Sequence, residues 1–409
     1  MTPTMTDSEA QIHSPCTLWP KPYVTVDDVQ ALLVRLYSIY PDVIKECNSY
    51  TDRTFYARAS PSSFSTFLTS ENEGQKTGTH QAEFILKVLN AEFTSDGPGT
   101  VAAQVDILNF LKENFPELKC QVPVPTVDGH LLSYEIIRND YVTEQAMESV
   151  YELSAVRMCR YIEGRTLNDA APLPPSFFYK AGHHLGRLQL ALQTYVGDVE
   201  PLRRKAVRTI WCLDNVPLVR RHLDLVTDIT RRAMLDDVIA AFETTVVPMQ
   251  GELRKGIVHH DYSDHNVLVV PSSALSMDET TRAANYEISG LIDFDLMVYT
   301  CLVNEIAVAM MYLMLCSEEP LRAAAYLLAG FESRAPLPLT ERRLLRVLVA
   351  GRFAQSLVYG LRSAKLNPGN ADYLCSTQEQ GWKCLTLLWG HSEQNVMNLL
   401  DSISQQNDC

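Results

Sequence analysis

Between two apolar runs, the stretch GIVHHDYSDHNVLVV (Gly256 to Val270) gathers three histidines, two aspartates and an asparagine. Its kernel is His259-x-Asp261-x-x-x-x-Asn266, and a later apolar run ends in Leu291-Ile292-Asp293-Phe294-Asp295. Phosphoryl transfer needs a carboxylate beside the attacking hydroxyl and oxygen ligands that hold Mg²⁺ against nucleotide phosphates. Asp261 suits the first task. Asn266, on the same loop, and Asp293, closing an apolar strand, suit the second. Lys87, centred in the alternating run QAEFILKVLNAE, is a cation for the phosphates. Two other chemistries fit less well. His259, His260 and His265 follow no zinc spacing and have no cysteine nearby, and a hydrolase would want a nucleophile elbow of the G-x-S-x-G kind, which the chain lacks.

These residues need elements to carry them. After a tail reaching about Lys21, expected to be disordered, VTVDDVQALLVRLYSIY opens on a Thr/Asp cap and places Val29, Leu32, Leu33, Leu36 and Ile39 at helical steps. RTFYARAS and QAEFILKVLNAE read as strands joined by a polar hairpin loop, TSENEGQKTGTH. TVAAQVDILNFLKENF reads as an amphipathic helix, and HLLSYEIIRNDYV and ESVYELSAVRMCRYIEG as further strands. Beyond Gly164 the chain is helical in character except for the two short strand-like runs that hold the motifs. The expected fold class is therefore α+β, with a small mixed lobe over 22–157, a hinge over 158–164 and a large, mainly helical lobe over 165–409.

Bulk properties agree with an ordinary globular protein. The chain has 409 residues, enough for two lobes, with 46% hydrophobic and 21% charged residues. A net charge of -14 argues against nucleic acid or anionic membrane as partner and suits a cationic or zwitterionic small molecule. The 10 cysteines include no C-x-x-C pair and read as a reduced set. The opening residues do not have the pattern of a signal peptide. The longest apolar run, IAVAMMYLMLC, is too short to span a bilayer and reads as a buried helix. A cytosolic location is expected.

With these motifs the chain resembles the aminoglycoside phosphotransferase/choline kinase superfamily. HHDYSDHNVLV, GLIDFD, NEIAVAMMYLML, LLAGFES and GRFAQSLV, with IWCLDNVPL and GWKCL, are similar to a branch that phosphorylates hydroxylysine. The resemblance runs from about Val24 to Leu388. It implies a protein-kinase-like bilobal fold with an antiparallel sheet in the small lobe. Asp261 would be the catalytic base, Asn266 and Asp293 would hold Mg²⁺, and Lys87 would bind the nucleotide. Gln104 would support that lysine from a place where relatives have glutamate. Asp52, Arg53 and Thr54 would form the phosphate-covering turn, and Met158 and Arg160 would belong to the hinge against the base. GTP, or ATP, would be the phosphate donor and 5-hydroxy-L-lysine the acceptor, with the enzyme a monomer or weak homo-oligomer. A dibasic amino acid needs carboxylates for its ammonium groups and a cation for its carboxylate. Asp264, Glu305, Glu332 and Arg352 are the candidates, with Trp211 and Tyr373 as possible pocket walls. His260 departs from the pattern, since relatives have glycine there; so does Asp295, and Tyr262-Ser263 replace a commoner Leu-Asn pair.

Overall fold

The structure, a computed structural model, describes residues 21–60, 81–94, 99–142, 147–272 and 286–404. Except for Lys21, the expected N-terminal tail lies outside the described residues, as does the hairpin loop TSENEGQKTGTH. The chain divides into two compact units. One comprises Met1–Val105 and Val122–Tyr161, the other Asp106–Gln121 and Ile162–Cys409.

The first unit is built on a six-stranded antiparallel sheet. Its strands are β1 (Pro22–Tyr23), β2 (Val43–Cys47), β3 (Arg53–Ala59), β4 (Ala82–Val88), β5 (Ser133–Val142) and β6 (Met147–Arg160), in the order β1-β5-β6-β4-β3-β2. Helix α1 (Val26–Tyr37) starts at Thr25, whose backbone N–H donates to Asp28 while its hydroxyl accepts the Asp28 N–H. That reciprocal cap is worth about 1 kcal/mol. The expected apolar face of α1 is buried against one face of the sheet, where Phe55, Ala57, Phe84, Leu86, Val88, Val156 and Met158 form the core. Strand alternation sends Thr54, Lys87 and Arg157, which are register neighbours, to the opposite face. A second cluster joins Leu89 and Ala155 to Val101, near the start of helix α2 (Gly99–Asn114).

The second unit is mainly helical. Its long elements are α3 (Pro175–Gln193), α4 (Glu200–Arg208), α5 (Ile229–Ala241), α6 (Val303–Leu315), α7 (Pro320–Glu332), α8 (Leu345–Leu366), α9 (Gln378–Gly390) and α10 (Glu393–Ser404). Helix α6 contains most of the longest apolar run and is buried nearly throughout, as its composition implies. None of the described helices is long and apolar enough to cross a membrane. Helices α3 and α7 cross so closely that a Cβ on Gly182 would strike the Leu327 carbonyl, and one on Gly330 the Tyr179 carbonyl.

Two features differ from the sequence reading. The block RRHLDLVTDITRRAMLDDVIAAFETTVV is not one helix: a 3₁₀ segment ends at Leu225, and Asp228 caps a separate α5. Two short strands also join the motif strands: β7 (Arg165–Thr166) pairs with β9 (Val267–Pro271), and β11 (Val298–Cys301) with β8 (Lys255–Val258). Strand β10 (Tyr286–Leu291) completes the β10-β9-β7 sheet.

Candidate active site

Strand β8 delivers the loop 259–266, which returns into β9, and β10 on the other edge of β9 delivers Asp293. The Ile292 N–H donates to the Asn266 carbonyl at 3.0 Å, so both motifs share one anchor. Within the loop, Asn266 Nδ2 donates to the Asp261 carbonyl at 3.0 Å and to its Oδ2 at 2.6 Å. This fixes the Asp261 carboxylate and turns the amide oxygen of Asn266 away from it. Asp293 caps a short turn, its carboxylate accepting the Asp295 N–H. Lys205, a buried lysine of α4, donates to the Asp295 carbonyl and braces the same turn.

The loop itself is held from three sides. His259 accepts the Asp261 N–H at Nδ1 and faces the Ile292 carbonyl with Nε2, both at 3.2 Å. Burial pushes its pKa down to about 4, and a neutral ring protonated on Nε2 satisfies both contacts. His260 occupies the left-handed region at φ 67°, where glycine is preferred. A side chain there costs roughly 1 kcal/mol. Two contacts offset the cost: its N–H donates to Glu305 Oε2 at 3.1 Å, and its Nε2 accepts the Leu213 N–H at 2.9 Å. Tyr262 is buried and its hydroxyl donates to the Ala181 carbonyl of α3 at 3.2 Å.

Asp261 keeps one edge open, with its side chain 19% exposed. Burial pushes its pKa up to about 6, opposed by Arg352 and raised further by the charge of Asp293. The charges of Asp261 and Asp293 thus interact, and Asn266 and Asp293 offer oxygen donors of the kind that hard cations prefer. His259 is fully engaged and one nitrogen of His260 is taken. Among the described residues no group of three His, Cys, Asp or Glu side chains is placed to hold a metal.

Several expected contacts are corrected by the structure. Glu305 is not a substrate contact: it is buried under the loop, where it supports His260. Glu332 pairs with Arg342 at 3.1 Å and belongs to the helix packing. Arg352 is wholly buried. It donates to the Trp211 carbonyl at 2.9 Å and the Tyr312 hydroxyl at 3.1 Å, and reaches Asp261 Oδ1 at 3.4 Å. It braces the Asp261 carboxylate. Asp264, by contrast, lies on the loop with one carboxylate oxygen lacking a hydrogen-bond partner. Trp211 lies against Arg352, and Tyr373 lies 5.9 Å from the His265 ring.

In the first unit, Lys87 forms an ion pair with Asp52 at 3.2 Å, and Thr54 is its register neighbour. Arg53 belongs to the opposite face, beside Phe55, and is held by Glu46 at 2.8 Å. Strand β6 runs without a break through Arg160, so the expected hinge begins in strand. Met158 packs in the α1 core, with its carbonyl accepting the Val124 N–H at 2.7 Å. Arg160 shares its parity. Neither side chain is on the Lys87 face, and Gln104 is fully buried. Missing from the sequence reading was Tyr312, which helps to hold Arg352; an arginine set among the small and apolar residues of VAGRFA in α8 was the available signal that buried partners would be found.

A carboxylate braced on a strand-to-strand loop, an asparagine five positions on and an aspartate on the adjoining strand end together define a phosphotransferase with a protein-kinase-like fold. The chain belongs to the phosphotransferase enzyme family, whose model matches residues 58–344, and it is a kinase. Its relatives include hydroxylysine kinase of Xenopus laevis, 32% identical over 380 residues, 92% of each chain. Hydroxylysine kinase of Danio rerio is 30% identical over 377 residues, 92% of this chain and 94% of that one. Among solved structures, an amicoumacin kinase in complex with AMP-PNP, Ca²⁺ and Ami has a TM-score of 0.56 at 12% identity, with 96% of each chain covered. A microcompartment-associated aminopropanol kinase has the same TM-score at 16% identity, covering 88% of this chain and 98% of that one. At those identities the likeness is one of fold.

Proposed function

We propose that this kinase transfers the γ-phosphate of GTP to the side-chain hydroxyl of 5-hydroxy-L-lysine. The observation that carries the chemistry is the hold on Asp261: Asn266 fixes one carboxylate oxygen, Arg352 approaches the other, and an edge stays open to an acceptor hydroxyl. Asp261 aligns that hydroxyl for in-line attack and takes its proton as the bond to the γ-phosphorus forms and the bond to the β–γ bridging oxygen breaks, with GDP as leaving group. Asn266 and Asp293 would hold Mg²⁺, which when bound neutralises charge on the phosphates. Lys87, with Thr54 beside it, binds the nucleotide phosphates. The choice of acceptor is supported by the relatives, hydroxylysine kinases of about 30% identity over nearly the whole chain. Asp264 suits an ammonium group of that acceptor, because its buried, unpartnered oxygen calls for a cationic donor.

That same carboxylate also suits smaller amino alcohols, which is the second reading. Release of nucleoside diphosphate, measured with GTP and ATP against hydroxylysine, lysine, choline, ethanolamine and homoserine, separates the two. Release with hydroxylysine and none with lysine is expected. Release with another amino alcohol alone would replace the proposed acceptor. Asp261→Asn should bind nucleotide as the wild type does and lose roughly a thousandfold in turnover; near-normal turnover would remove Asp261 from its role.

A further inference from the structure

Asp52 is unsuited to bind a phosphate directly, since a carboxylate repels one, yet it is buried beside the lysine that suits that task. Its Oδ2 lies 3.2 Å from Lys87 Nζ, with the two side chains only 7% and 13% exposed. Its Oδ1 accepts the Asn90 N–H at 2.8 Å, and the Asn90 side chain donates to the Thr51 carbonyl at 3.2 Å. The turn before β3 and the segment after β4 are thus tied around one carboxylate. A lysine that grips phosphates needs a fixed negative partner to aim it. The buried helix residue Gln104 is neutral and cannot supply that charge.

We infer that Asp52 is the positioning residue for Lys87, supplying from the β2–β3 turn the negative charge that Gln104 lacks. The inference rests on the reading of Lys87 as a phosphate-binding residue. Asp52 acts on the nucleotide only through that lysine. Order in the turn and the reach of the lysine therefore change together.

Asp52→Asn isolates the charge, because the amide keeps an oxygen for the Asn90 N–H. It is compared with Asp52→Glu, which restores the charge, and with Lys87→Met, in steady-state assays with GTP and with ATP and in thermal melts. The expected result is a nucleotide KM about tenfold higher in Asp52→Asn, with the acceptor KM and melting temperature unchanged and with partial recovery in Asp52→Glu. An unchanged nucleotide KM overturns the inference. So does a lowered melting temperature with both KM values raised alike and no recovery in Asp52→Glu, which marks general damage. Lys87→Met separates this from the underlying reading. A raised nucleotide KM there, with none in Asp52→Asn, removes only the role of Asp52; no effect in either variant removes the reading of Lys87 as well.

Discussion

Arg352 Nη2 stands 3.4 Å from Asp261 Oδ1, and the arginine has no exposed surface. The Trp211 carbonyl and the Tyr312 hydroxyl accept from the same guanidinium and help to hold it there. Its charge opposes the burial that pushes the pKa of Asp261 upward. The Asp261 carboxylate thus sits between an amide on the loop and a cation from a distant helix.

Replacing that cation should therefore affect turnover more than binding. Arg352→Met leaves Asp261 with no counter-charge, and turnover should fall about a hundredfold. The nucleotide KM should stay within about twofold of wild type, since nucleotide binding is assigned elsewhere. Arg352→Lys, a point charge on a flexible stem, cannot keep all three contacts and should restore little. Normal turnover in Arg352→Met would show that the ion pair is incidental.

Glu305 makes a pH prediction. Burial pushes its pKa up to about 7, opposed by the His260 and His259 N–H groups and raised further by Asp261. The unfolded chain releases this proton near 4.5, while the folded protein keeps it until about 7. The stability tied to the proton is fully present below 4.5 and is lost as pH rises through 7. Glu305→Gln carries no such proton and retains an acceptor for the His260 N–H. Between pH 5 and 8 it should gain on wild type by a few kcal/mol, seen as a flatter fall in melting temperature. Parallel pH curves would show that Glu305 does not hold a proton in the folded state.

The crossing of α3 and α7 predicts a purely structural effect. Gly330→Ala places a Cβ on the Tyr179 carbonyl, and overpacking of this kind costs about 2 kcal/mol. A lower urea midpoint with unaltered KM values is expected. Gly251→Ala, where a Cβ meets nothing within 4 Å, is the control. Equal midpoints for the two variants would mean that the helices separate without cost.

The features legible in the sequence were local ones. The loop of Asp261 and Asn266 and the strand end at Asp293 depend on residue type and short spacing, and alternation around Phe84 and Leu86 marked β4. The same alternation, extended across the sheet, assigns Met158 and Arg160 to the core parity, but that needs the register of β4 on β6. Arg352 on Asp261 and Glu305 on His260 join positions far apart in the chain, and nothing in either segment states the pairing. Strand β7 has only two residues and β11 only four, too few for a period to appear. For His260, the histidine pair of the loop was readable, whereas the positive φ and the contacts that make a side chain tolerable there were not.

One imidazole has a wider consequence. His259 touches the amide of Asp261 with one nitrogen and the strand end leading to Asp293 with the other. The segments that carry Asp261 and Asp293 are therefore tied to each other through one neutral side chain as well as through the main chain, where the Ile292 N–H meets the Asn266 carbonyl.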